Sequence, residues 1–224
     1  TVKKGEPSLW SQFEKQVQRL PSSTTCLWSK TGTYTWSETR AQACRYAEFL
    51  STHGAQSNKP VAIYLQSSPE FMFSMLATWA LGTAPAMINY NLSGDALLHC
   101  LKISSSKVLV VDVDAGCRQR VEDVRDRIEQ ELGMQIIILD SSTKATIAAI
   151  SPKPVDARYR EHVDGETPVC LIYTSGTTGL PKASHFHLER IWFLGDYRRR
   201  LTNQTSGPNG DVFYNCMPLY HGTG

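Results

Sequence analysis

Between Val61 and Leu139 the sequence alternates short apolar runs with longer amphipathic or charged ones. Val61–Leu65, Ala84–Ile88, Lys107–Val111 and Gln135–Leu139 read as strands, and Pro69–Leu81, Asp95–Ile103 and Arg118–Leu132 as helices. A strand that is apolar at nearly every position has no solvated face, so the sheet must be covered on both sides. A helix between successive strands supplies the crossover that parallel pairing needs. The expected fold is therefore α/β, a mainly parallel sheet with helices on both faces. Val169–Thr174 continues the pattern as a strand, His187–Leu201 as a helix and Val212–Cys216 as a further strand. Ser141–Pro154, rich in Ser, Thr and Pro, reads as a connection, and Asn203–Asp211 as a polar loop.

Residues 1–60 carry a different pattern, of entry helices and a hairpin, before the alternating core of 61–224. Leu9, Phe13, Val17 and Leu20 share one helix face, and Pro21 ends that helix. Cys26–Ser29 and Thr33–Thr35 flank a Lys30-Thr31-Gly32 turn. Thr35-Trp36-Ser37-Glu38 has the form of a capping box, opening a helix that runs to about His53 and stops at Gly54.

Phe71–Gly94 carries no charge and approaches the length of a membrane span. Ser74, Thr78, Gly82, Thr83 and Pro85 interrupt it, with Ser68-Pro69 as a helix start and Gly82 as a stop. The expectation is a buried helix followed by a buried strand, with Phe71 and Trp79 in the core.

Composition narrows the function classes. With 41% hydrophobic and 20% charged residues the chain is globular, not disordered. A net charge of +2 gives no electrostatic reason to bind nucleic acid. The six cysteines, Cys26, Cys44, Cys100, Cys117, Cys170 and Cys216, have neither CxxC nor zinc spacing and read as buried free thiols of a reducing compartment. The chain starts without Met and ends at His221-Gly222-Thr223-Gly224, so it is expected to be part of something longer.

The chemistry concentrates in Tyr173-Thr174-Ser175-Gly176-Thr177-Thr178-Gly179-Leu180-Pro181-Lys182. An apolar strand delivers four hydroxyls, on Thr174, Ser175, Thr177 and Thr178. Gly176 and Gly179 let backbone N–H groups approach a ligand, and Lys182 adds a full charge. Donors without a carboxylate suit a polyanion such as a nucleotide phosphate tail. A plain Ser/Thr/Gly surface loop is the alternative, but it needs no such combination directly after an apolar strand. The run is not a Walker A loop, because the position five after Gly176 is Pro181.

This decapeptide resembles the AMP-binding signature of the adenylate-forming superfamily. Ile88-Asn89-Tyr90-Asn91-Leu92, Leu97-Leu98-His99-Cys100 and Met217-Pro218-Leu219-Tyr220-His221 resemble its fatty-acid transport protein branch, the very-long-chain acyl-CoA synthetases. Adenylation domains of peptide synthetases usually carry a Val-Pro-x-Asp type sequence where this chain has Asn89-Tyr90-Asn91. The resemblance implies part of the large N-terminal domain of an enzyme that joins a fatty acid to coenzyme A through acyl-AMP, with ATP and Mg²⁺. It implies phosphate contacts from Thr174, Ser175, Gly176, Thr177, Thr178, Gly179 and Lys182. It further implies a hydroxyl of Thr177 or Thr178 near Mg²⁺, and His221 between the nucleotide and acyl sites. The branch implies an intracellular protein at the endoplasmic reticulum, peroxisome or cytosolic face of the plasma membrane. Adenine, ribose and hinge motifs of the family would follow Gly224, so the isolated chain is expected to be inactive. A non-enzymatic remnant, or a fatty-acid uptake or binding module, is the rival reading.

The remaining candidates carry less. His185-x-His187 has metal-like spacing without a Cys or carboxylate to complete a site. Arg198-Arg199-Arg200 complements a helix end. Asp112 and Asp114 read as loop-edge carboxylates without a partner.

Overall fold

The computed structural model describes residues 8–174, 179–193, 195, 210 and 212–222. A helix α1 (Leu9–Arg19) and a hairpin of β1 (Thr25–Ser29) and β2 (Gly32–Thr35) precede α2 (Trp36–Thr52). The Thr35–Glu38 capping box closes as expected: Thr35 Oγ1 accepts from the Glu38 N–H, and Glu38 accepts from the Thr35 N–H. Glu38's carboxyl is held below its usual range, chiefly by that N–H. Gly54, just past α2, takes φ +90°, a conformation that glycine adopts without a Cβ penalty.

The core is a six-stranded sheet in the order β6-β5-β3-β4-β7-β8. Its strands are β3 (Val61–Tyr64), β4 (Pro85–Met87), β5 (Val108–Val111), β6 (Gln135–Ile138), β7 (Pro168–Thr174) and β8 (Lys182–His187). All neighbouring pairs are parallel except β7 and β8. The crossovers are α3 (Pro69–Ala80), α4 (Gly94–Ser104) and α5 (Ala115–Glu122), and α6 (Ser141–Ala149) follows β6. From β3 the chain steps to β4 on one side, then returns past β3 to β5 on the other. Right-handed crossovers in opposite directions put α3 and α4 on opposite faces.

Two cores follow from the period of two along each strand. Val61, Ile63 and Leu65 pack with α2, α3 and α6, whereas Ala62 and Tyr64 pack with α4 and α5. Fully buried side chains such as Phe71, Ile63 and Leu109 each contribute about 1.5–3 kcal/mol relative to exposure. Trp79 is half-buried against the same core, its Nε1–H donating to Val169 O at 2.7 Å. The uncharged stretch from Phe71 is thus helix, turn and strand, and among the described residues no helix is long and apolar enough to cross a membrane.

Several expectations need correction. Ser141–Pro154 is not a plain connection but holds α6. Asp140 caps that helix by accepting from the Thr143 N–H, Ile147 is buried, and Lys144, Ala145, Ala148 and Ala149 offset the Ser and Thr of the run. The charged helix expected over Arg118–Leu132 is two pieces. It starts earlier, at the Asp114 cap, ends at Glu122, and resumes as a π-helical turn over Arg127–Glu131, closed by Leu132 N–H on Arg127 O. The helix expected from His187 is preceded by β8, which the sequence reading missed; residues 188–193 are helical. The remainder of that helix, with Arg198-Arg199-Arg200, and most of the Asn203–Asp211 loop lie outside the described residues.

Val212–Cys216 is no strand. It has no ladder partner among the described residues, and Val212, Phe213 and Tyr214 are exposed. Cys216 is therefore exposed and Cys26 half-buried, whereas the other four thiols are buried as expected; all six are free.

Candidate functional site

The candidate site lies at the carboxyl end of the parallel strands. The connections after β3 and β4 leave this end toward opposite faces of the sheet, which opens a crevice of the kind where α/β proteins bind ligands. Thr174 is the last residue of β7, Lys182 the first of β8, and the two are directly opposed in the antiparallel register. The antiparallel β7–β8 pair therefore ends on Thr174 and Lys182 at this end of the sheet. Both side chains are exposed. Ser175, Gly176, Thr177 and Thr178 lie outside the described residues. Gly179 takes φ +95° with nothing within 4 Å of a Cβ added there, so glycine serves backbone conformation here and not crowding.

Helix α4 backs the hairpin through consecutive residues. His99 Nε2 lies 2.9 Å from Pro181 O, and Tyr173 Oη donates to Cys100 O at 3.2 Å. A carbonyl only accepts, so His99 carries its proton on Nε2. Burial pushes the Tyr173 phenol up and the Cys100 thiol up to about 11, so both stay neutral at pH 7.

His221 approaches the same end of the sheet on a separate segment. Its N–H donates to Pro218 O at 3.0 Å, forming a tight turn. The Leu219 N–H donates to Ser67 Oγ, just after β3. Tyr220 meets Tyr90, just after β4, edge to face at 5.2 Å between centroids. A Cβ added at Gly222 would lie 3.6 Å from Ile172 Cδ1 on β7. Residues 218–222 therefore lie over the ends of β3, β4 and β7, beside the strand that delivers Thr174.

Asp112 and Asp114 do have partners, contrary to expectation. Asp112 accepts from the N–H groups of Gln66 and Asp114, which ties the loops after β3 and β5 together. Asp114 caps α5 by accepting from the Cys117 N–H, and that bond holds its carboxyl below the usual range. His185 and His187 sit two apart on β8 with ring centroids 6.5 Å apart, and His187 Nδ1 is 3.5 Å from Glu166.

The sequence reading missed Tyr64 and Arg120. Tyr64 is fully buried and donates from Oη to Leu92 O at 2.6 Å. Arg120 Nε donates to Tyr64 Oη at 2.9 Å, and its Nη2 to Tyr90 O at 2.8 Å. A tyrosine closing an otherwise aliphatic strand was the available signal for Tyr64; nothing set Arg120 apart within a charged helix.

Comparison with known proteins identifies the family and the fold. Residues 13–224 match the family model described as AMP-binding enzyme. The chain is 33% identical over 213 residues to isopenicillin N epimerase component 1 of Hapsidospora chrysogena, covering 95% of this chain and 29% of that protein. It is 28% identical to long-chain fatty acid transport protein 2 of Rattus norvegicus, covering 93% of this chain and 34% of that one. It thus spans about a third of the length of these relatives. Among solved structures, the N-terminal domain of FACL13 from Mycobacterium tuberculosis superposes with a TM-score of 0.78 at 19% identity, over 96% of this chain and 52% of that one. ATP-bound MatB from Rhodopseudomonas palustris gives 0.74 at 22%, over 93% and 40%. The α/β architecture expected from the sequence is that of the FACL13 N-terminal domain, and the chain belongs to the AMP-binding, adenylate-forming superfamily, which includes AMP-forming acid–thiol ligases.

Proposed function

We propose that this chain is the phosphate-loop part of the N-terminal domain, residues 1–224, of an ATP-dependent fatty acyl-CoA synthetase. The observation that carries the reading is the opposed pair Thr174 and Lys182 at the carboxyl end of the sheet, which brackets a Gly- and hydroxyl-rich sequence. In the first step a fatty-acid carboxylate oxygen attacks the α-phosphorus of ATP. The bond to the bridging oxygen breaks, and pyrophosphate leaves with the electron pair. Thr174, Ser175, Gly176, Thr177, Thr178, Gly179 and Lys182 are the donors for the charge that grows on the departing phosphates. In the second step the coenzyme A thiol loses its proton, attacks the acyl carbonyl and displaces AMP. His221 orients the carboxylate at the mouth of the acyl site.

Neutral hydroxyls fit Mg²⁺, which retains waters and shares phosphate oxygens with one or two protein ligands. Thr177 and Thr178 are the residues for that role, and the ion would supply further charge neutralisation. The names of the fatty acid transport relatives support long-chain substrates, and an intracellular, membrane-associated setting is part of the same proposal.

The experiment compares half-reactions in the full-length polypeptide. Lys182→Ala and Thr178→Ala should slow adenylation, measured by single turnover from ATP and acid, by on the order of a hundredfold. Thioester formation from synthetic acyl-AMP should be nearly unchanged, because pyrophosphate has already left. Equal losses in both half-reactions would remove the loop from this role. The isolated 224-residue chain should show only background ATP–pyrophosphate exchange with a panel of fatty acids.

A further inference from the structure

We propose that Arg120 is a positioning residue for the His221 segment, acting through Tyr64 and the 89–92 turn. The inference rests on the reading of His221 given above. Arg120 is on α5, and its hydrogen bonds lead through Tyr90 toward residues 218–222. Its acceptors are Tyr64 Oη at 2.9 Å, Tyr90 O at 2.8 Å and Cys117 Sγ at 3.5 Å. All are neutral groups: burial first, with Asp112 beside it, raises the Cys117 thiol, and burial likewise raises the Tyr64 phenol. A guanidinium aimed at a phenol and a carbonyl fixes geometry through its rigid fork of donors.

Because Tyr64 Oη accepts from Arg120, its single proton is directed to Leu92 O, at 2.6 Å. Two carbonyls of the same turn, those of Tyr90 and Leu92, are thereby fixed to β3 and α5. Inside the turn Asn89 Oδ1 accepts from the Asn91 N–H at 2.9 Å. The held turn presents the Tyr90 ring to Tyr220, the residue before His221. The path therefore runs from Arg120 through a fixed turn and an aromatic edge contact to the segment over the ends of β3 and β4.

The test uses the full-length polypeptide with Arg120→Gln, Tyr90→Leu, their double variant, and Arg125→Gln as control. Arg125 follows the end of α5 and lies in surface pairs with Glu122 and Glu129, off this path. Acid-dependent ATP–pyrophosphate exchange should lose about tenfold in kcat in each single variant, with KM for ATP nearly unchanged, since misplacement of a reacting group slows the step itself. The double variant should lose no more than either single one, as residues on one path do not add. Thermal midpoints should match that of Arg125→Gln. Independently, the ¹⁹F resonance of fluorotyrosine at position 220, assigned with Tyr220→Phe, should shift in Arg120→Gln as it does in Tyr90→Leu.

Additive losses, a kcat loss in Arg120→Gln no larger than in the control, or an unmoved Tyr220 resonance would overturn the inference. Wild-type protein without acid-dependent exchange would overturn the ligase reading instead, and the ring signature then decides the positioning role alone.

Discussion

His99 Nε2 on α4 sits 2.9 Å from the carbonyl oxygen of Pro181, one residue before the lysine that closes the hairpin. Helix and hairpin are 82 residues apart in sequence, so this bond is a tertiary restraint on the loop. A hydrogen bond of this kind is worth about 1 kcal/mol, or roughly fivefold in an equilibrium constant. His99→Ala in the full-length polypeptide should raise the KM for ATP by about that factor while the thermal midpoint stays close to wild type. An unchanged KM would mean that α4 does not order the loop.

Gly82 and Gly179 both have positive φ but should respond differently to alanine. A Cβ at Gly82 would lie 2.0 Å from the backbone oxygen of Tyr159, at φ +68°. That clash is with main chain and cannot be relieved by a rotamer change. Gly82→Ala should cost about 3 kcal/mol or more, against about 1 kcal/mol for Gly179→Ala, where only the backbone conformation is strained. Urea unfolding of the two variants checks the ordering, and equal losses would contradict it.

Glu70, half-buried at the start of α3, pairs with Lys144 of α6. Burial alone would raise its carboxyl, but the Lys144 ammonium, its own N–H and the Ser68 hydroxyl outweigh burial and hold it below 4.5. A depressed carboxylate contributes stability above its unfolded pKa and loses it as the pH falls through the folded value. Lys144 is partly solvated, so the pair is worth about 0.5–1 kcal/mol. Glu70→Gln should therefore lower the melting temperature by about 1–4 °C at pH 7, and the difference should close as the pH falls through the depressed folded value. A difference that persisted in acid would assign the effect to packing.

The six thiols should separate by access. Cys216 is exposed, and Cys26 is half-buried with its thiol raised by burial. Cys100 and Cys170 are pushed up to about 11 by burial. The thiolate is the reactive form, so a disulfide reagent at pH 7 should modify Cys216 in a fast phase and the others only on unfolding. Cys216→Ser should abolish the fast phase; its survival would mean that the native chain exposes a second thiol.

The sequence by itself determined the layered architecture, because strands such as Val61–Tyr64 and Val108–Val111 are apolar at every position and must be buried on both faces. It also determined the helix starts at Thr35 and Ser68, where a side chain meets an N–H three residues away. It marked the Tyr173–Lys182 run because glycines, hydroxyls and a lysine directly follow a strand. What it could not reveal depends on partners distant in the chain. β8 exists because Lys182–His187 finds β7, and its histidines hide the strand pattern. Val212–Cys216 has strand-like composition yet no ladder partner among the described residues, and pairing, not composition, makes a strand. Tyr64 and Arg120 are 56 residues apart and Tyr90 and Tyr220 are 130 apart. Only the order β6-β5-β3-β4-β7-β8, set by crossovers in both directions from β3, brings such pairs to one end of the sheet.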